Sequence, residues 1–258
     1  MSNFSLDLSL DLLYPEPPAF SFADFRANEA LADVFTPELV SESPERLVMR
    51  TDDWQATYEH LDTPLDYDLD DFARQAELLT DTDFHLVRAD ALAAARAHAH
   101  RVRVTVETDR EMPFLEIQGL FFAAMYLTDL RPPLGAFVRE NELLLSFGDF
   151  EEYAVNQVSS WNAYLAWVNL RAHEGKKKTT VYTRGVTKLG ERDLELSLKP
   201  AKVTKAYQAV LNTALGSLST TSSYEDGEKV TAGSHGTYEF EEKKSKHIDG
   251  KILRMEKW

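Results

Sequence analysis

The chain has no cysteine among its 258 residues. This absence excludes disulfides, thiolate nucleophiles and cysteine-based zinc or iron–sulfur sites, and it fits a reducing compartment. Long apolar runs are also missing, since none approaches the ~20 residues that a membrane-spanning helix needs. The first residues, MSNFSLDLSLDLL, carry no basic region and place aspartates among the leucines, unlike a signal peptide. We therefore expect a cytoplasmic protein that does not bind a membrane.

Signatures of common cofactor and catalytic sites are absent as well. The sequence contains no Gly-x-Gly-x-x-Gly, no Walker loop, no Gly-x-Ser-x-Gly and no His-Glu-x-x-His. Nucleotide binding and Ser–His–Asp chemistry therefore have no support, and we expect no cofactor. Because no complete catalytic set is present, the sequence favours a protein without catalytic activity over an enzyme.

The net charge of −15 is concentrated in the first part of the chain. Residues 1–100 contain 21 acidic and 6 basic side chains, whereas residues 101–258 contain 22 of each. Such an acidic surface repels nucleic-acid phosphates and anionic lipid, so we expect no direct binding to nucleic acid. The excess indicates a docking surface for a basic protein partner, a mimic of a nucleic-acid backbone, or simple solubility, since many acids lie in the run Asp62 to Asp71.

Hydrophobic periodicity predicts an α+β fold. The first strand alternates Phe4, Leu6, Leu8, Leu10 and Leu12 with serine and aspartate, which indicates one solvated face. The predicted strands cover Phe4–Leu12, Leu47–Met49, Trp54–His60, Val102–Val106, Leu134–Val138, Leu143–Phe147, Tyr164–His173, a hairpin within Lys176–Leu198, Tyr238–Phe240 and Ile252–Met255. The predicted helices cover Phe22–Phe35, Asp70–Leu79, Ala89–Ala97, Pro113–Leu130, Asp149–Val158 and Pro200–Leu218. Pro37 and Pro44 bracket a predicted loop.

The order strand, helix, strand, strand, helix, strand up to Val106 is that of a ferredoxin-like sandwich, and it partly recurs afterwards. We therefore predict two packed ferredoxin-like halves with mainly antiparallel sheets and helices on one face. Residues 1–100 form the acidic half and residues 101–258 the electroneutral half, and one continuous domain is the alternative.

The hairpin is the richest candidate site. Tyr182, Thr183, Asp193 and Glu195 crowd around Gly185 and Gly190, and Asp226 follows in a later turn. Asp193 and Glu195 are two residues apart on a strand, so their side chains share a face about 6–7 Å apart. Paired carboxylates at this distance divide acid and base roles or hold a hard cation. The leucines between them supply the buried face, however, which favours a solvated outer face with Arg192 or Lys188 as neighbours.

A second candidate is a metal pair, His98 and His100. Residues i and i+2 of a strand point the same way, so two imidazoles could chelate a metal with His60, His85 or an acid as third ligand. The competing interpretation is a structural helix end, where a protonated histidine suits the negative end of the helix dipole.

Four segments carry a family resemblance. They are Ala97–His100 with Val102–Val106, the hairpin VYTRGVTKLGERDLEL, the Asp226-Gly227 turn with Val230 and Gly233, and the closing Gly250–Arg254. Together they resemble the bacterial domain-of-unknown-function family 4261. The hairpin of that family reads Tyr-Thr-x-Gly, then x-Gly, then two acids separated by one residue. The corresponding positions here are Tyr182, Thr183, Gly185, Gly190, Asp193 and Glu195. Asp193 stands where the family has glutamate, and Glu228-Lys229 departs from its more acidic turn. The resemblance covers about residues 95–258 and implies an α+β fold in a bacterial protein, but no activity.

Three functional hypotheses remain open. The leading one is a non-catalytic interaction module that docks a basic partner through residues 1–100, in one form an immunity-type protein that neutralises a cationic toxin or nuclease. The alternative is an enzyme or small-ligand binder whose polar pocket requires Tyr182, Thr183, Asp193, Glu195 and Asp226 to converge. The third is a homodimer formed through a sheet edge.

Overall fold

Two mostly antiparallel sheets of seven and six strands, together with helices, give the chain an α+β fold in a computed structural model, as the sequence predicted. The structure describes residues 8–28, 36–78, 89–108, 113–155, 164, 167–220, 223–248 and 250–258. Contacts divide the chain into two compact units. Unit 1 consists of Met1–Leu69 with Arg88–Ala163, and unit 2 consists of Asp70–Val87 with Tyr164–Trp258.

The elements are numbered in chain order. The strands are β1 Leu8–Tyr14, β2 Glu38–Glu42, β3 Arg46–Arg50, β4 Gln55–Leu61, β5 His100–Glu107, β6 Gly135–Val138, β7 Leu143–Ser146, β8 Asn169–Glu174, β9 Thr179–Arg184, β10 Leu194–Leu198, β11 Lys229–Thr231, β12 Thr237–Lys244 and β13 Lys251–Lys257. The helices are α1 Phe22–Ala27, α2 Leu69–Leu78, α3 Ala89–Ala97, α4 Pro113–Leu130, α5 Phe147–Val155 and α6 Val203–Thr220. No helix among the described residues is long and apolar enough to span a bilayer.

The sheet of unit 1 has the order β2-β3-β4-β5-β1-β6-β7, and all of its neighbouring strands are antiparallel. Strands β2 to β5 form a meander, so the ferredoxin-like detail of the prediction is not confirmed. Strand β5 pairs with β1 on one side and β4 on the other. The predicted boundary near residue 100 therefore falls inside this sheet, and the contact-based division lies elsewhere.

Helices lie against both faces of this first sheet, whereas the sequence predicted one covered face. A Cβ built on Gly119 of α4 would lie 3.3 Å from Val106 Cγ1, and the Tyr58 hydroxyl donates to the carbonyl oxygen of Ala123 at 2.8 Å. A Cβ built on Gly135 would lie 3.2 Å from Ala94 Cβ of α3. Gly135 pairs with Leu13 and Val106 pairs with Leu8, so these two contacts belong to opposite faces.

Strand β1 is buried on both faces, which corrects the predicted solvated face. All seven residues from Leu8 to Tyr14 are buried, and Asp11 has no exposed surface. Its carboxylate accepts bonds from Arg101 Nη1 at 2.5 Å and from Arg103 Nε and Arg139 Nη1 at 3.0 Å each. Asp11 can be buried because Arg101 and Arg103 of β5 and Arg139, which follows β6, compensate its charge. The other polar position, Ser9, donates through its hydroxyl to Glu140 Oε1 at 2.8 Å. Phe4 and Leu6 lie outside the described residues.

The sheet of unit 2 has the order β11-β12-β13-β10-β9-β8, in which only the β10–β13 pair is parallel. Helix α6 packs on β9 and β10, where alternate residues such as Val181, Leu194 and Leu196 are buried. Helix α2 is held at the β8 edge, since Gln75 Oε1 accepts from the backbone nitrogen of Ala172 at 2.7 Å.

Some predicted boundaries differ from the observed elements. β2 lies where Pro37 and Pro44 indicated a loop, and β8 begins at Asn169 and not at Tyr164. Tyr164 and Trp167 are helical, and the nitrogen of Val168 donates to the carbonyl oxygen of Tyr164 at 2.8 Å. The second half of the predicted helix Phe22–Phe35 lies largely outside the described residues, as does His85.

Candidate functional site

The hairpin connection between β9 and β10 is organised by one buried carboxylate, Asp193. Its Oδ1 accepts from Thr183 Oγ1 at 2.8 Å and from Val186 N at 3.2 Å, and its Oδ2 accepts from Thr187 Oγ1 at 3.2 Å. Burial raises the pKa of Asp193, and these hydrogen bonds oppose that rise. Asp193 and Thr183 therefore hold the short 3-10 turn Val186–Leu189 in place and do not present a reactive carboxylate.

Two glycines allow this connection to turn as the sequence predicted. Gly185 has φ 92° and Gly190 has φ 86°, and both values lie in the left-handed region that favours glycine. The carbonyl oxygen of Gly185 also accepts from the indole nitrogen of Trp167 at 3.1 Å. The Thr-x-Gly part of the hairpin motif, Thr183 to Gly185, therefore serves the geometry of the turn.

A polar row crosses the opposite face of the unit 2 sheet and contains two of the predicted residues. Strand register aligns Arg171, Tyr182, Glu195 and Arg254 on four neighbouring strands. Arg254 donates twice to Glu195 Oε1, through Nε at 3.1 Å and Nη2 at 2.7 Å. Glu195 is 2% exposed, so the predicted solvated outer face is wrong at this position.

A histidine from the β12–β13 loop closes over this row. The ring of His247 stacks on Tyr182 with centroids 5.2 Å apart, and it lies 4.6 Å from the ring of His173. Ser245 Oγ donates to Glu195 Oε2 at 3.3 Å and accepts from the backbone nitrogen of His247 at 3.0 Å. Burial lowers the pKa of His247, while nearby Glu195 opposes that change. The loop is thus clamped to the sheet by a neutral imidazole and a hydroxyl.

The Glu195 carboxylate and the Ser245 hydroxyl of this cluster already have hydrogen-bond partners. Arg254 donates to Oε1 of Glu195 and Ser245 donates to Oε2, which fixes the orientation of the carboxylate. The Ser245 hydroxyl bonds to Glu195 and to backbone nitrogens, and no histidine ring nitrogen activates it within the described residues. The arrangement therefore anchors a loop.

The five hairpin candidates do not converge on one pocket. Tyr182 and Glu195 share the polar row, whereas Thr183 and Asp193 lie in the turn network. Asp226 is exposed elsewhere, where its Oδ1 accepts from the backbone nitrogen of Glu242 at 2.7 Å. The convergence that an enzyme or ligand binder at the hairpin requires is not present among the described residues.

His98 and His100 do not form a metal pair. The Nε2 atom of His98 accepts from Leu65 N at 2.8 Å, and its Nδ1 lies 2.5 Å from the carbonyl oxygen of Ala95. Both ring nitrogens are therefore engaged by the backbone, and burial lowers the pKa of this imidazole. His100 instead contacts exposed Asp62 at 3.1 Å. Among the described residues, no group of three or more potential ligands could hold a metal ion.

Sequence reasoning missed the partners that complete the polar row. Arg254, Ser245 and His247 lie some 50 to 60 residues after Glu195 and reach it only through the parallel pairing of β10 with β13. The sole signal in the sequence was the closing Gly250–Arg254 segment of the family resemblance, which includes one of these partners.

Charge separates by structural unit more sharply than by position in the sequence. Unit 1 contains 26 acidic and 10 basic side chains, a net charge of −16, and unit 2 contains 17 and 18, a net charge of +1. Three of the ten basic side chains of unit 1 surround Asp11. Only Arg101 among them is buried with the carboxylate, since the side chains of Arg103 and Arg139 are 28% and 40% exposed.

The exposed acids of unit 1 are numerous around strands β2 to β4. Glu38, Glu45, Asp52, Glu59 and Asp66 are exposed, and none forms an ion pair with another described residue. Other described acids of the first hundred residues pair with arginines from later in the chain, Asp11 as above and Asp71 of unit 2 with Arg171 Nη1 at 2.7 Å. These five exposed acids of unit 1 therefore face solvent with their charge uncompensated by a described ion pair.

Comparison with protein-family models, with curated proteins and with solved structures finds no match. The resemblance to domain-of-unknown-function family 4261 therefore stays a prediction from the residues of the hairpin and its neighbouring segments.

Proposed function

We propose that this chain is a protein-interaction module that binds a basic protein partner through unit 1. The observation that carries the proposal is the segregation of charge, a net −16 in unit 1 against +1 in unit 2. An electrostatic field of one sign speeds the encounter with an oppositely charged partner and disfavours partners of like charge. Nucleic acid and anionic membrane surfaces are therefore poor partners for this unit.

The arrangement inside unit 1 supports this role beyond its total charge. Arg101, Arg103 and Arg139 are drawn onto Asp11, whereas acids such as Glu38, Glu45 and Glu59 face solvent without an ion-pair partner among the described residues. Acidic side chains also favour solubility, but solubility alone does not require the acidic excess to be confined to one unit. Because the acidic excess lies in unit 1, we expect that unit, and not unit 2, to attract cationic partners.

The narrower form of this proposal is an immunity-type protein that neutralises a cationic toxin or nuclease in the bacterial cytoplasm. Such a role needs an acidic surface and no catalytic machinery. It is compatible with the cluster around Glu195, whose groups are occupied in anchoring a loop.

The experiment measures binding of the full chain to two small basic proteins, lysozyme and cytochrome c, at low and at physiological salt. We expect binding that weakens steeply as ionic strength approaches about 0.15 M, where the Debye length is about 8 Å. The variant Glu38→Gln/Glu45→Gln/Glu59→Gln removes three exposed charges from unit 1. At ~0.3–0.5 kcal/mol each, it should weaken binding about five- to tenfold.

The matched control removes three exposed charges from unit 2, Glu174→Gln/Glu225→Gln/Glu256→Gln. Both triple variants have the same net charge, so a general charge effect changes them equally. The proposal expects the control to bind within about twofold of the wild type. Equal weakening by both variants, or no salt-dependent binding to either basic protein, contradicts it.

A further inference from the structure

Strand β2 is an exposed sheet edge in the acidic unit. It is the terminal strand of the seven-stranded sheet, and all five residues from Glu38 to Glu42 are exposed. Leu39 and Val40 are 44% and 49% exposed, and they are two of the four large exposed hydrophobic side chains among the described residues. An edge strand of this kind presents backbone hydrogen-bonding groups and apolar side chains to any extended chain that reaches it.

The protection that edge strands usually carry is only partial here. Lysine and proline, which commonly keep an edge strand from pairing with another chain, do not occur within the segment ELVSE. A register shift between Leu39 and Ser41 shortens the regular stretch, which limits the length of an added strand. Glu38 and Glu42 flank the two apolar residues, and Glu45 follows in the turn.

The charge of these glutamates determines which kind of segment can pair with β2. A second copy of β2 would place glutamates beside glutamates, and like charges on neighbouring strands are destabilising. A segment with lysine or arginine at both ends of an aliphatic pair places opposite charges there instead. Glu38 pairs with Arg50 and Glu42 with Leu47, three positions apart on β3, because the bulge adds one residue to β2. The two glutamates are therefore about 10 Å apart along the strand, at ~3.3 Å per residue, and lie on opposite faces of the sheet. Basic residues three positions apart in a regular partner strand match this spacing and this change of face.

From this geometry we infer that the basic partner docks by adding an extended segment to β2, as a further strand of the unit 1 sheet. The inference rests on the proposed function and specifies its mode. Backbone hydrogen bonds to the β2 edge supply affinity, Leu39 and Val40 contact aliphatic side chains, and the glutamates contact flanking lysines or arginines.

The test uses a synthetic peptide of about seven residues, the length of a short strand, with Lys-Val-Val-Lys at its centre. A second peptide has the same sequence with N-methyl groups on alternate backbone nitrogens, which removes hydrogen-bond donors and keeps the charge. We expect the unmodified peptide to bind the full chain at least about tenfold more tightly, because the added strand depends on backbone hydrogen bonds. Amide hydrogen exchange of residues 38–42 should slow when it binds.

A paired substitution separates strand addition from charge attraction alone. Leu39→Asp/Val40→Asp makes the edge more acidic while it removes the apolar contacts and the strand preference. Strand addition predicts weaker peptide binding despite the added negative charge, by about tenfold. Val155→Asp, at another exposed position of unit 1, is the control and should bind the peptide as the wild type does.

The outcomes distinguish this inference from the function on which it rests. Equal affinity for the two peptides, or tighter binding by Leu39→Asp/Val40→Asp, overturns strand addition and leaves charge-driven binding by unit 1 intact. If basic proteins and both peptides all fail to bind, the proposed function fails and this inference fails with it. Slowed exchange confined to unit 2 also overturns the docking at β2.

Discussion

The substitution Asp11→Asn tests whether one buried carboxylate holds the polar centre of unit 1 together. Asp11 has no exposed surface, and its partner Arg101 has a side chain that is only 9% exposed. Asparagine keeps the size of the side chain but removes the charge, which leaves three guanidinium groups facing one another. Removing one member of a buried ion pair costs about 3–5 kcal/mol, because the other charge stays buried without compensation.

Most of this cost should come from Arg101. The side chains of Arg103 and Arg139 are 28% and 40% exposed, so water can solvate them once the carboxylate charge is gone. Arg101 also donates to the carbonyl oxygen and hydroxyl of Thr63 at 2.7 and 2.9 Å, and those bonds fix it in place. We therefore expect the free energy of unfolding of unit 1 to fall by about 3–5 kcal/mol.

The measurement is native-state hydrogen exchange of amides in β1 and β5, because a chain with two units need not unfold in one step. Asp52→Asn, at an exposed acid of the same unit, is the control and should change stability by less than about 0.5 kcal/mol. If Asp11→Asn is as mild as this control, the carboxylate does not hold the arginines and the reasoning is refuted. A double variant that also carries Arg101→Met should show a coupling energy above about 1 kcal/mol.

Three further predictions follow from the remaining contacts. Gly190→Ala should lower the free energy of unfolding by about 1–2 kcal/mol in urea denaturation, because φ is 86° although a Cβ meets nothing within 4 Å. Glu195→Gln should weaken the clamp on the β12–β13 loop, seen as faster amide exchange of residues 245–248, and unchanged exchange there contradicts that role. Burial lowers the pKa values of His98 and His247, so the unfolded chain binds protons more readily than the folded one. The free energy of unfolding should therefore fall as the pH drops below about 6.5. Urea titrations at two pH values should show a smaller fall for His98→Gln.

The α+β class and most elements could be predicted because local periodicity reports burial directly. The alternation in β5 and the glycines of the β9–β10 hairpin illustrate this, since each element satisfies its pattern within a few residues. Helix α4 likewise reveals its burial through apolar residues on much of its circumference. Strand order was beyond such reasoning, because the pairing of β1 with β5 joins residues about 90 positions apart.

The candidate site was predicted less well, and the reason is the burial of charge. Alternation in β1 and β10 indicated that Asp11 and Glu195 face solvent, because a lone acid on a strand is usually exposed. In each case arginines from distant strands neutralise the carboxylate, and a single sequence does not reveal that pairing. β2 was missed for a related reason, since its five residues between two prolines pack no side chain into the core.

Mapping the amides that a bound basic protein protects is the measurement that decides where docking occurs. Hydrogen exchange of the full chain, with and without saturating lysozyme at low salt, should slow for residues 38–61 of unit 1 and stay unchanged for residues 164–258. Protection confined to residues 164–258, or none in either range while binding is saturated, contradicts an acidic docking unit.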